Sequence, residues 1–126
     1  MDMRTPLKKV RGLGSSKEGT HHFWMQRMTA VALVPLFILF IIFVISHVGA
    51  SHEEMLASLA NPFIAVLLGL MVIAGLVHMR IGMQEIIEDY IHGEVLKLCA
   101  LMANTFFTVL IGGLCLFAIL KIAFVG

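Results

Sequence analysis

Charge is the first thing this sequence lacks. Only 13% of its 126 residues are Asp, Glu, Lys or Arg, against about 25% in ordinary soluble domains. The formal net charge is +1, so no basic field is present to hold a nucleic acid. Cysteine is nearly absent. Cys99 and Cys115 fall in one apolar run. On a continuous helix they stand ~24 Å apart, far beyond the ~7 Å between Cα atoms that a disulfide tolerates. Both are read as small apolar packing residues, neither a bridge nor a metal pair. Internal repeats and low-complexity segments are missing too.

What the sequence does have is apolar surface, at 60% of residues. A chain this short cannot bury that much within itself, and lipid is the natural solvent for the excess. Met28–Val48 is free of charge and long enough to cross a ~30 Å hydrocarbon core. Pro35 lies inside it, which a spanning helix tolerates when neighbours satisfy the freed carbonyl. Gly49 through Asn61 reads as a short acidic loop with Glu53 and Glu54. Asn61-Pro62 is a good helix start, with Asn as cap and proline at the first helical position. A second run starts there and turns polar after His78, and Gly93 is expected to break the chain. A third runs from Leu98 to Leu120. The fold class is therefore all-α: an integral membrane protein with three transmembrane helices, over about 28–48, 62–84 and 98–120. They form an anchor domain over 28–126, behind an arm over 1–27. The glycines and serines of the arm argue against a regular element before about Thr20.

Basic residues set the orientation. The arm holds Arg4, Lys8, Lys9, Arg11, Lys17 and Arg27, six of the nine Lys and Arg residues. The second connection is flanked by Arg80 and Lys97, the first has none, and the C-terminal end has Lys121 alone. The N-terminus and second connection are expected in the cytoplasm, and the first connection and C-terminus in the periplasm. The arm has neither the length nor the cleavage site of a signal peptide, nor the character of an Arg- and Ser-rich transit peptide, which favours a bacterial inner membrane.

A histidine deep in a spanning helix is costly without a partner or a task. His78 lies sixteen residues into its helix, roughly 24 Å from the start. His78, Gly82, Glu85 and Asp89 project from nearly one face. Neutral imidazole is a common iron ligand, and a glycine one turn on leaves room for a flat macrocycle. The plainer alternative is a histidine hydrogen-bonded to a neighbouring helix. Asp89-Tyr90 lies at the end of the same helix. Interfacial tyrosine is commonly just an anchor, but a hydroxyl beside a carboxylate also suits a quinone headgroup and its protons. His21, His22, Trp24 and Arg27 precede the first span. Trp24 reads as a belt residue. Arg27 either snorkels to headgroups or, with His21, pairs with heme propionates. His47 and His52, near the first connection, are expected to be solvated. His92 is given no chemical role.

The run His78-Met79-Arg80-Ile81-Gly82-Met83-Gln84-Glu85-Ile86-Ile87-Glu88-Asp89-Tyr90-Ile91-His92-Gly93 resembles the second helix of the D-type membrane anchor of succinate dehydrogenase (complex II). The shared pattern is His, three residues, Gly, six residues, Asp-Tyr. Gly19-Thr20-His21-His22-Phe23 followed by Arg27-Met28-Thr29-Ala30 resembles the start of that family's first helix. The resemblance covers nearly the whole chain. It implies a multi-helix bundle with a second anchor, the C-type cytochrome b subunit, and docking of the iron–sulfur and flavoprotein subunits on the cytoplasmic face. It implies a heme b shared between the anchors, with His78 as an axial ligand to the iron. It also implies ubiquinone bound by Tyr90 with Asp89 beside it, and His21 and Arg27 near the propionates and the quinone pocket. Arg80, Glu85 and Glu88 make this helix end more charged than the family pattern.

The sequence holds no flavin or cluster motif, so this chain does not itself oxidise succinate. The reading is an electron-transfer subunit that passes electrons from succinate to ubiquinone. The competing readings are a purely structural anchor or assembly subunit without heme, and a small transporter or channel subunit using His78 and Arg80. The outer halves of the spans lack the polar residues that a pathway needs.

Overall fold

The structure, a computed structural model, describes residues 17–125. Most of the expected arm, residues 1–16, lies outside the described residues. The described chain is all helix and connection: α1 (Lys17–Ser46), α2 (His52–Leu59), α3 (Pro62–Tyr90) and α4 (Glu94–Phe124). Three of them, α1, α3 and α4, are long and apolar enough to cross a membrane. At 30, 29 and 31 residues each is roughly 45 Å long at ~1.5 Å per residue. At the end that holds the start of α1 and the 91–93 connection the helices outrun their apolar stretches, so that polar end of the bundle is helical.

Local chemistry explains the breaks. Gly49, at φ +81°, supplies the left-handed residue that turns the chain after α1. Asn61 Oδ1 accepts from the Phe63 N–H at 2.9 Å and Pro62 follows it, which starts α3 where the sequence places it. The Ile91 N–H closes α3 on the Ile87 carbonyl, and α4 restarts at Glu94 directly after Gly93. Pro35 sits within α1 without ending it.

Three expectations are corrected. The stretch from Gly49 to Asn61 is not simply a loop, because it contains α2. Ser51 Oγ accepts from the Glu54 N–H at 3.1 Å while the Glu54 carboxylate accepts from the Ser51 N–H at 3.3 Å. This reciprocal cap satisfies donors at the start of a helix only eight residues long. His47 is half-buried and held by hydrogen bonds, not freely solvated. Its Nδ1–H donates to the Phe43 carbonyl at 2.8 Å, and its Nε2 accepts from the Ser58 hydroxyl of α2 at 2.7 Å. That bond pins α2 to the end of α1. His52 is exposed, as expected. Finally, α1 begins at Lys17, ahead of Thr20, and carries Gly19 in its first turn.

α3 is the central helix. It packs antiparallel against α1 on one side and α4 on the other, while the backbones of α1 and α4 do not approach each other among the described residues. Gln26 lies opposite Gly82, Thr29 opposite His78 and Leu33 opposite Gly75, which fixes the α1–α3 register. Asn104 and Thr105 reach Arg80, and Gly112 meets Leu76, which fixes α4. The few buried side chains, Thr29, Ile81 and Ile87, lie in the half of the bundle near residue 17 and the 91–93 connection. We call this the near end.

Candidate functional site

His78 sits mid-helix on α3, half-buried against α1. Its Nδ1 is 3.1 Å from Thr29 Oγ1. Thr29 is 9% exposed, and its hydroxyl also lies 2.7 Å from the Met25 carbonyl and 3.2 Å from the Gln26 carbonyl. Among the described residues no hydrogen bond reaches His78 Nε2, nor is that atom sealed in the interior. One turn on, the space beside Gly82 is taken by the Gln26 amide, whose Nε2 would lie 3.4 Å from a Cβ there. The gap at Gly82 thus faces α1. The Gln26 Oε1 atom is buried without a partner among the described residues.

On its other flank α3 meets the polar residues of α4. Asn104 Nδ2 donates to the Arg80 carbonyl at 3.0 Å, and Arg80 Nη2 donates to Thr105 Oγ1 at 3.4 Å. Arg80 therefore turns toward α4, while His78 turns toward α1. Two residues on a helix point ~200° apart, which is why the two do not share a face. Gln84 Nε2 donates to Glu88 Oε1 at 3.0 Å, and Glu85 is exposed.

Tyr90 is the last residue of α3 and is 77% exposed, with Asp89 exposed beside it. His21 and Arg27 both fall on α1 and are exposed. Six residues of helix turn them ~120° apart, and the structure brings neither to the other nor to His78. The His21 ring neighbours that of His22, and the Arg27 guanidinium lies over the Phe23 ring at 5.0 Å. Trp24, Arg27, Met28 and Val31 share an outward-facing surface of α1.

The residues that sequence reasoning missed are Gln26 and Thr29. Thr29 stands in the first-helix motif, but nothing in the sequence gives the register that sets it against His78. The signal was the polar pair itself, three residues apart inside an otherwise apolar helix face.

The chemistry of His78 fits a heme iron. Among the described residues its Nε2 makes no hydrogen bond while its other nitrogen is held by Thr29, as metal-bound histidines commonly are. Among the described residues no cluster of three or more His, Cys, Asp or Glu forms that would hold a bare metal ion. A second axial ligand would come from another subunit, since His47 is engaged with Ser58 at the far end.

Three antiparallel spanning helices with one polar, histidine-bearing interface define a helical membrane protein of the anchor type. Residues 1–112 match the family described as the succinate dehydrogenase/fumarate reductase transmembrane subunit, and the chain belongs to that family. It is 42% identical over 102 residues to a succinate dehydrogenase hydrophobic membrane anchor subunit of Paracoccus denitrificans, covering 81% of this chain and 79% of that one. It is 32% identical over 109 residues to the like-named subunit of Rickettsia bellii, covering 86% and 87%. A succinate dehydrogenase membrane anchor subunit of Reclinomonas americana is 27% identical over 89 residues, covering 68% of this chain and 74% of the other.

Proposed function

We propose that this chain is the heme- and quinone-binding anchor of a succinate:ubiquinone oxidoreductase in a bacterial inner membrane. It would be paired with a C-type anchor and carry the iron–sulfur and flavoprotein subunits on the cytoplasmic face. The observation that carries the proposal is His78: an imidazole within a spanning helix, held at Nδ1 by Thr29 and open at Nε2, in a chain of this family. His78 would hold the heme iron through Nε2, with a further ligand from the partner anchor. Heme b, when bound, supplies a one-electron redox centre between the anchors.

Ubiquinone takes up two electrons and two protons to become ubiquinol. Tyr90 stands where α3 leaves the apolar zone, so an isoprenoid tail stays in lipid while the headgroup meets the phenol. The Tyr90 hydroxyl donates a hydrogen bond to one quinone carbonyl, and Asp89, open to water, orients the headgroup and passes protons to it. His21 and Arg27 lie at the same end of the bundle. The His21 ring and the Arg27 guanidinium, both exposed on α1, reach propionates or the pocket rim where a partner anchor would cover them.

The test is a reduced-minus-oxidised absorption spectrum of the purified complex, for the wild type and for His78→Leu. A low-spin six-coordinate heme in the wild type that is lost or converted to high spin in the variant is expected. A spectrum that survives the substitution unchanged in assembled complex removes His78 as ligand. No heme band in the wild-type complex leaves only a structural anchor.

A further inference from the structure

The hydrogen-bond arrangement around Thr29 determines more than contact. A threonine hydroxyl has one proton to give and lone pairs with which to accept. Three polar atoms surround Thr29 Oγ1. The Met25 carbonyl at 2.7 Å and the Gln26 carbonyl at 3.2 Å accept only. Threonine in a helix commonly bonds back to the carbonyl three or four residues earlier. The hydroxyl proton therefore lies toward Met25, the shortest of the three contacts, and the contact at 3.1 Å to His78 Nδ1 requires the ring to be the donor. The reverse assignment, with the hydroxyl donating to Nδ1, would aim oxygen lone pairs at the Met25 carbonyl at 2.7 Å.

We infer that Thr29 is a positioning residue for the axial imidazole. It holds His78 in the tautomer with the proton on Nδ1 and the lone pair on Nε2, fixes the rotation of the ring, and strengthens it as a donor to iron. The inference rests on the heme reading of His78 given above. The chain of bonds runs from Nδ1–H to the hydroxyl and from the hydroxyl to a helix carbonyl, so each bond polarises the next. Burial of Thr29 at 9% exposure keeps water from replacing the hydroxyl. A partner on the second ring nitrogen of a metal-bound histidine raises its basicity and sets its orientation. Here that partner comes from another helix, so the α1–α3 register itself controls the ligand.

The experiment uses the complete complex with Thr29→Val, Thr29→Ala and Thr29→Ser. The valine keeps the shape and removes the hydroxyl, the alanine removes both, and the serine keeps the hydroxyl. The readouts are the heme midpoint potential and the low-spin electron paramagnetic resonance spectrum. An imidazole without its acceptor is a weaker donor and stabilises ferric iron less, so the valine and alanine variants should show a midpoint shifted upward. Their resonance should move or broaden as the ring is freed to rotate, and the serine variant should restore both wild-type values. Wild-type potential and spectrum in the valine or alanine variant overturn the inference. Failure of both to assemble with heme, beside a normal serine variant, assigns the hydroxyl to folding and overturns it too. These results are separable from failure of the heme reading, which shows as a missing heme band or as a spectrum indifferent to His78→Leu.

Discussion

A tyrosine at the last position of a spanning helix has two uses, and one oxygen atom separates them. As an interfacial anchor Tyr90 needs its ring, and as a quinone ligand it needs its hydroxyl. Tyr90→Phe keeps the first and removes the second. Losing one hydrogen bond to a neutral carbonyl costs about 0.5–1.5 kcal/mol of binding. Losing a donor to the charge that develops on the oxygen during reduction costs about 2.7–4 kcal/mol, by analogy with oxyanion sites. The phenylalanine variant should therefore reduce ubiquinone roughly a hundredfold or more slowly while its affinity falls about tenfold at most, as steady-state kinetics with ubiquinone would measure. Succinate oxidation with a soluble artificial acceptor should be untouched. Wild-type rate and affinity would leave Tyr90 as an anchor only. His78 was legible as a candidate because a polar group in an apolar run is conspicuous, and Asp89 and Tyr90 because they close the same helix. Thr29 and Gln26 were not, because their meaning lies in which α3 residues they face, and that depends on an antiparallel register that one sequence does not display. Gly82 was legible as a missing side chain, but Gln26 borders the gap.

At the scale of elements, apolar periods and helix-end residues located the three long helices, while α2 went unseen. Its signal was Ser51 followed three residues later by Glu54, a capping pair that outweighs the shortness and charge of the segment. The packing of α4 on α3 was not legible either, since nothing in a Gly-Gly pair says which of the two faces a neighbour. The structure separates them: a Cβ on Gly112 would lie 2.9 Å from Leu76 Cδ1, whereas Gly113 has nothing within 4 Å. Gly112→Ala can be absorbed by rotation of the Leu76 end. Gly112→Val cannot, because its branch is fixed close to the backbone, and overpacking of this kind costs about 1–3 kcal/mol. The valine at 112 should lower the thermal stability of the anchor domain, followed by helical circular dichroism in detergent, while Gly113→Val should leave it nearly unchanged. A reversed ranking would mean that α4 packs on α3 through a different face. On the first connection, Ser58→Ala removes the hydroxyl that reaches His47. It should cost about 0.5–1.5 kcal/mol in the same measurement, with no effect on any heme spectrum.

For the whole molecule, the arrangement of helices and the distribution of charge together determine which ends meet which solvent. Among the described residues the buried apolar side chains are Ile81 and Ile87 alone, and α1 packs on α3 while α4 packs on α3 and α2. Most of the apolar surface thus points outward, toward lipid or another subunit, as a membrane anchor requires. Three consecutive spans put the 91–93 connection on the same side as the start of α1, and α2 with the end of α4 on the other. The near end carries Lys17, Arg27, Arg80 and Lys97, and the far end carries Lys121. Since basic residues flanking the spans stay on the cytoplasmic side, the near end, with Asp89 and Tyr90, should face the cytoplasm, where the soluble subunits would deliver electrons. Single cysteines at His92 and Ala57, both exposed, test this after Cys99 and Cys115 have been replaced by alanine. With a membrane-impermeant maleimide, His92→Cys should label in inverted vesicles and Ala57→Cys in right-side-out vesicles. The opposite pattern would reverse the orientation while keeping three spans, and it would separate Tyr90 from the cytoplasmic supply of electrons and protons. Labelling of both from the same side would mean that α3 does not cross the membrane.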